Sequence, residues 1–145
     1  MVKTMFASTL YADQWEGPRD TGKAIEKPEL AKIENAIRAL DGRQKTLVSL
    51  ESEGPARMDI GGGNGGYYVV SATVDGQQFS TVTRPSKGQS TVRIIAGGQP
   101  GDYPADLAVD LDTALQAARA FAASGALDGS LRWEGRQSLG PSIRI

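Results

Sequence analysis

The sequence predicts an α+β fold in which a mostly antiparallel β-sheet of about six or seven short strands carries two packed helices. Three observations lead there. Residues 58–82, MDIGGGNGGYYVVSATVDGQQFSTV, hold two tight reversals separated by a run that alternates strictly. Apolar residues recur at helical spacing over about residues 28–42 and again over about residues 110–125. The second of these stretches comes late, so a regular alternation of strand and helix is not supported.

The first element is an opening strand over residues 2–11, carried by Val2, Phe6 and Leu10. Residues 12–27 are polar and broken by Gly and Pro, and Trp15 at their edge reads as a partial cover of the core. Pro28 opens a helix at a position where its missing N–H costs nothing; Leu30, Ile33, Ile37 and Leu40 form its buried stripe and Gly42 ends it. Residues 46–51, TLVSLE, form a short strand, and residues 52–57 turn the chain through Gly54-Pro55.

Asp75-Gly76 then predicts a two-residue type I′ hairpin, because that turn needs positive φ at both central positions. Closing there sets Val74 opposite Gln77, Ala72 opposite Phe79 and Val70 opposite Thr81. Tyr68, Val70, Ala72, Val74 and Phe79 would face the core. Ser71, Thr73, Gln78 and Ser80, with Tyr67, Val69 and Val82, would form a half-wet outer face. The glycines of residues 61–66 contain GxGxxG, but a dinucleotide fingerprint needs a helix after the glycines and here a strand follows. They read instead as a wide, flexible hairpin connection.

Residues 83–90 form a polar loop with Arg84, Lys87 and Gly88 exposed, and residues 91–96 another strand ended by Gly97-Gly98. GGQPGDYP, residues 97–104, holds five Gly or Pro in eight positions and predicts a rigidly shaped surface loop. Residues 106–109 continue extended into the second helix, which Asp110 or Asp112 caps. Leu111, Leu115, Ala118, Phe121 and Ala122 line its buried side and Gly125 ends it. Leu131-Arg132-Trp133 is a last strand, and the tail either pairs again through Ile143 and Ile145 or frays.

A chain of 145 residues makes one domain, 1–145, with an N-terminal strand and loop over about 1–27 and a tail over about 135–145. Sixteen basic against seventeen acidic residues leave a net charge of −1, which argues against direct nucleic-acid or membrane-surface binding. No stretch approaches the roughly 18 apolar residues of a membrane span and no signal peptide is evident, so a cytoplasmic protein is expected.

The chain has no Cys and no His. That excludes thiolate nucleophiles, Cys/His zinc sites, Ser-His-Asp triads and histidine acid–base catalysis. Carboxylate chemistry, a lysine nucleophile or a carboxylate-bound cation remain. One local charge asymmetry stands out. Between Ile94 and Ala118 there is no Lys or Arg, yet Asp102, Asp106, Asp110 and Asp112 occur. Read as an acidic rim beside Gln99 and Tyr103, this stretch suits a basic partner. Read as chemistry, Asp110, Asp112 and Glu51 would serve a carboxylate-dependent metal-binding domain or enzyme, and the glycine loop a small-ligand module.

Several segments in order resemble a family of bacterial immunity proteins, the small α+β antitoxins encoded beside polymorphic toxins and often paired with deaminase-domain toxins. The segments are Glu29-Leu30 with the helix to Leu40-Asp41-Gly42, the glycines Gly61–Gly63 before Tyr68-Val69-Val70, GGQPGDYP, the helix with Ala118, Phe121 and Gly125, and Leu131-Arg132-Trp133-Glu134. The resemblance implies a non-enzymatic inhibitor without cofactor or metal, bound one to one to its cognate toxin and occluding the active site or substrate groove. It assigns no interface; the acidic rim supplies Gln99, Asp102, Tyr103 and Asp106, and the outer sheet face supplies Tyr67.

Overall fold

Backbone pairing in the computed structural model, which describes residues 5–85 and 90–136, is antiparallel throughout. The chain forms β1 (Thr9–Ala12), β2 (Trp15–Glu16), β3 (Arg19–Asp20) and β4 (Lys23–Glu26) before helix α1 (Leu30–Arg38). It continues with β5 (Leu47–Glu51), β6 (Arg57–Gly62), β7 (Tyr68–Thr73) and β8 (Phe79–Thr83), then β9 (Thr91–Ala96) and β10 (Gln99–Pro104). Helix α2 (Leu111–Ser124) and β11 (Arg132–Arg136) complete it. Seven strands build the main sheet in the order β11-β8-β7-β6-β5-β1-β4, while β9–β10 and β2–β3 are separate two-stranded ribbons.

Alternation sorts the main sheet into two faces. Leu10, Val48, Leu50, Met58, Ile60, Tyr68, Val70, Ala72 and Val82 are buried and point to the side where both helices pack. Helix α1 contributes Ile33 and Ile37, each fully buried, and α2 contributes Leu115, Phe121 and four alanines. Small side chains let α2 lie close to the sheet. Its ends match the sequence: Asp110 accepts from the Thr113 N–H at 2.9 Å, and Gly125 ends the helix at φ 77°. Arg119 on α2 pairs with Glu34 on α1 at 2.8 Å, tying the helices across their exposed side.

Several expectations are corrected. The β7–β8 register is one residue off the predicted one: Thr73 pairs with Phe79, Ala72 with Ser80 and Ser71 with Thr81. The Asp75 carboxylate accepts from the N–H groups of Gln77 and Gln78, and Thr73 Oγ1 accepts from Gly76 N–H. These bonds hold residues 74–78 as a five-residue loop instead of a two-residue turn. A shift of one residue turns a strand over, so Val82 enters the core at 1 % exposure and Phe79 moves to the outer face. Val74, in the loop, is 56 % exposed.

Residues 97–104 are not a loop. Gly97 and Gly98, at φ 63° and 77°, make the two-residue turn that sets Ala96 opposite Gln99, and β10 runs back along β9. The register puts Pro100 and Pro104 at alternate positions whose missing N–H does not face β9, where an edge strand tolerates proline. Residues 12–27 likewise contain β2, β3 and the edge strand β4, whose exposed residues carry no apolar alternation to announce it. Residues 106–109 begin in a 3-10 turn, Ala105–Leu107, before Val109 bridges to Tyr68. The glycine connection is packed: a Cβ on Gly63, at φ 110°, would collide with the Leu40 carbonyl. Val2, Lys87, Gly88, Ile143 and Ile145 lie outside the described residues.

Candidate partner-binding surface

The β9–β10 hairpin stands on the outer face of the main sheet, and a buried polar joint holds it there. Asp13, 2 % exposed, accepts from Thr46 N–H (2.6 Å), Leu47 N–H (2.9 Å), Thr46 Oγ1 (2.5 Å) and Trp15 Nε1 (2.7 Å). Thr46 Oγ1 in turn accepts from the Gly98 N–H at 2.9 Å. A buried carboxylate with four donors is satisfied rather than stranded. Trp15 lies over the turn so closely that a Cβ on Gly98 would sit 2.7 Å from its ring. Trp15 is thus a cover, as its position suggested, but over the hairpin turn.

On its inner side the hairpin presents Ile94, fully buried, and Ala96; a Cβ on Gly61 of β6 would meet Ala96 Cβ at 2.5 Å. Glycine on β6 therefore permits the close approach. The outer face, expected to be half-wet, is covered at this end.

Tertiary structure does not gather the sequence-predicted residues into one patch. Gln99 and Tyr103 share one side of β10, and the Tyr103 ring folds over Gly101. Asp102 is exposed on the other side, opposite Arg93 in the register. Asp106 sits past the end of β10 in the 3-10 turn and lines a cleft of about 600 Å³. Tyr67, 39 % exposed, lies apart from these, just before β7 and directly after the turn Asn64–Gly66, whose Asn64 Nδ2 reaches the Arg93 carbonyl at 3.3 Å.

The cleft also takes in Arg84 and Arg132, from β8's end and β11. Arg84 N–H donates to the Asp106 carbonyl at 2.8 Å and its Nε to the Ala108 carbonyl. The charge asymmetry of residues 94–118 is thus answered in space by Arg84, Arg93 and Arg132, all from outside that stretch. Linear spacing carried no signal for this, since each arginine arrives through strand pairing or a carbonyl contact.

Of the carboxylates considered for chemistry, Asp110 is engaged as the α2 cap. Hydrogen bonds from the Thr113 side chain and backbone hold its carboxyl below the usual carboxylate range. Glu51 lies on the outer sheet face, paired in register with Thr9 and Arg57, away from the helix layer. Among the described residues no three carboxylates gather as ligands for a cation.

The rest of the outer face, from β4 to β8, carries a hydrogen-bonded polar surface that no motif in the sequence announces. Ser49 Oγ donates to Asp59 Oδ1 at 2.7 Å, Arg57 pairs with Asp59 Oδ2 at 3.2 Å, and Ser71 and Thr81 hydroxyls meet at 2.9 Å. The Arg57 guanidinium lies 5.8 Å from the centroid of the Phe79 ring. Tyr11 donates its hydroxyl to Asp20.

A family model described as Immunity protein Imm1 matches residues 21–135. Comparison with curated proteins gave no match.

Proposed function

The chain belongs to the Imm1 immunity-protein family, and from that membership we propose that it neutralises a cognate bacterial toxin as a one-to-one inhibitor, the toxin being a nucleic-acid deaminase. The family match over residues 21–135, which takes in everything from β4 to most of β11, carries this reading. Inhibition by occlusion needs no catalytic group on the inhibitor, which agrees with a chain of 145 residues without His or Cys.

Charge favours a deaminase target. An enzyme that acts on a nucleic-acid base must hold phosphate along its substrate groove, so the groove is basic. A shaped hairpin bearing Asp102 on one side and Gln99 and Tyr103 on the other, with Asp106 in the 3-10 turn that follows and Tyr67 before β7, would enter such a groove and set carboxylates where the substrate has phosphates. The block falls on the active site or the groove. No helix among the described residues is long and apolar enough to cross a membrane, and the proposed place of action is the cytoplasm of the toxin's producer or its sister cells.

Titrating this protein into the toxin domain encoded beside it, with single-stranded DNA and RNA deamination as readout, tests the reading. Activity should fall linearly to its floor at one equivalent. Full deamination at several equivalents of inhibitor would overturn it.

A further inference from the structure

The hairpin covers one end of the outer sheet face and Asp20 of the β2–β3 ribbon holds the Tyr11 hydroxyl, while on the face from β4 through β6 Glu26, Glu51 and Arg57 are exposed, Tyr11 and Asp59 are half-buried and Ser49 is 9 % exposed. Register places Glu26, Thr9, Glu51 and Arg57 in one row across β4, β1, β5 and β6, and Ala24, Tyr11, Ser49 and Asp59 in the next. Three carboxylates therefore share this half of the face with one guanidinium. Arg57 is held between Asp59 and the Phe79 ring, so its charge is already offset within the chain. Thr9 Oγ1 holds Glu26 at 3.2 Å, whereas Glu51 is exposed.

The acidic character expected at Asp102 and Asp106 is diluted by Arg93, Arg84 and Arg132. On the open face it is not diluted to the same degree. The residue types also fit recognition: a tyrosine and a ring-stacked arginine, held by intramolecular bonds before any partner arrives, lose little freedom on binding.

Resting on the immunity reading above, we infer that the open half of the sheet, centred on Tyr11, Glu51, Arg57 and Asp59, is a second docking surface that receives a basic protein surface on the toxin, the flank of its phosphate-binding groove. The surface begins two residues along β6 from Gly61, where the hairpin ends its cover, so one partner can touch both. The hairpin supplies shape and the sheet supplies the attracting field. Complementary charge of this kind acts chiefly on the rate of encounter and is weakened by salt.

The test is stopped-flow association of the adjacent toxin domain with the wild-type chain and with Glu26→Lys/Glu51→Lys. Both positions are exposed, so the melting temperature should stay unchanged. At low salt the association rate of the variant should fall by about tenfold or more, and the gap should close in about 0.5 M salt. The neutral pair Glu26→Gln/Glu51→Gln should fall between the two, which separates charge from any loss of fold. Association of both variants within twofold of wild type would overturn the sheet surface while leaving the inhibitor reading intact. Absence of binding by the wild-type chain would overturn that reading, and this inference with it.

Discussion

At the scale of single residues, two positions carry more of the structure than their size indicates. Asp13 gathers four donors in a buried site, and its loss leaves Thr46 N–H, Leu47 N–H, the Thr46 hydroxyl and Trp15 Nε1 without their acceptor. Asp13→Ala should cost about 2–4 kcal/mol in urea unfolding, because stranded buried donors cost more than the bond they lose. Nothing near Asp13 in sequence signals this role, since its principal partners are 33 and 34 residues away. Gly63 is the second case. At φ 110°, with the Leu40 carbonyl where a Cβ would stand, it combines a conformation that side chains avoid with a clash against backbone. Gly63→Ala should destabilise by about 2 kcal/mol or more, measured the same way. The run of glycines announced a special backbone in the sequence; its tight packing on the end of α1 did not show there.

At the scale of elements, the helices and the β7–β8 hairpin behave differently. Helix α2 was legible in nearly every detail, because its cap, its 3.6-residue stripe and its terminal glycine are local signals. Phe121 is fully buried and meets Phe6 edge-on at 5.5 Å, so Phe121→Ala should cost about 3–5 kcal/mol in thermal or urea unfolding. The hairpin was legible as a hairpin but not in register. Asp75-Gly76 predicts a two-residue turn from backbone preference alone; the Asp75 and Thr73 side chains bind the turn amides and enlarge it. A direct check follows. Val82→Ala should cost about 2 kcal/mol and Phe79→Ala less, although Phe79 is the larger residue, because Val82 lies in the core and Phe79 on the outer face. The predicted register demands the opposite order.

At the scale of the whole molecule, charge governs both stability and recognition. The chain has no His, so no side chain of ordinary pKa changes charge between about pH 5.5 and 8, and its melting temperature should be flat over that range. On the acid side, Asp75 is held below the usual carboxylate range by the N–H groups of Gln78 and Gln77, and Asp128 by the Ser130 backbone and side chain. A depressed folded pKa contributes stability that is complete above the unfolded value near 4 and is lost as pH falls through the folded value. Thermal unfolding should therefore stay level down to about pH 5 and decline below about pH 4. The family match starts at residue 21, yet β4 joins the main sheet through β1, which lies before the match. A chain cut to the matched span would lose that attachment and expose Leu10's place beside Leu50. By itself the sequence determined the α+β class, both helices with their buried stripes, most strand positions, the lack of His and Cys, and the family resemblance. These depend on composition and on signals between near neighbours. The tertiary structure decided the β7–β8 register, the strand β10 where turn formers indicated a loop, the edge strand β4, and which arginines meet the aspartates of residues 94–118. Each of those depends on hydrogen bonds or charges between residues far apart in the chain, and no local periodicity records which of them will meet.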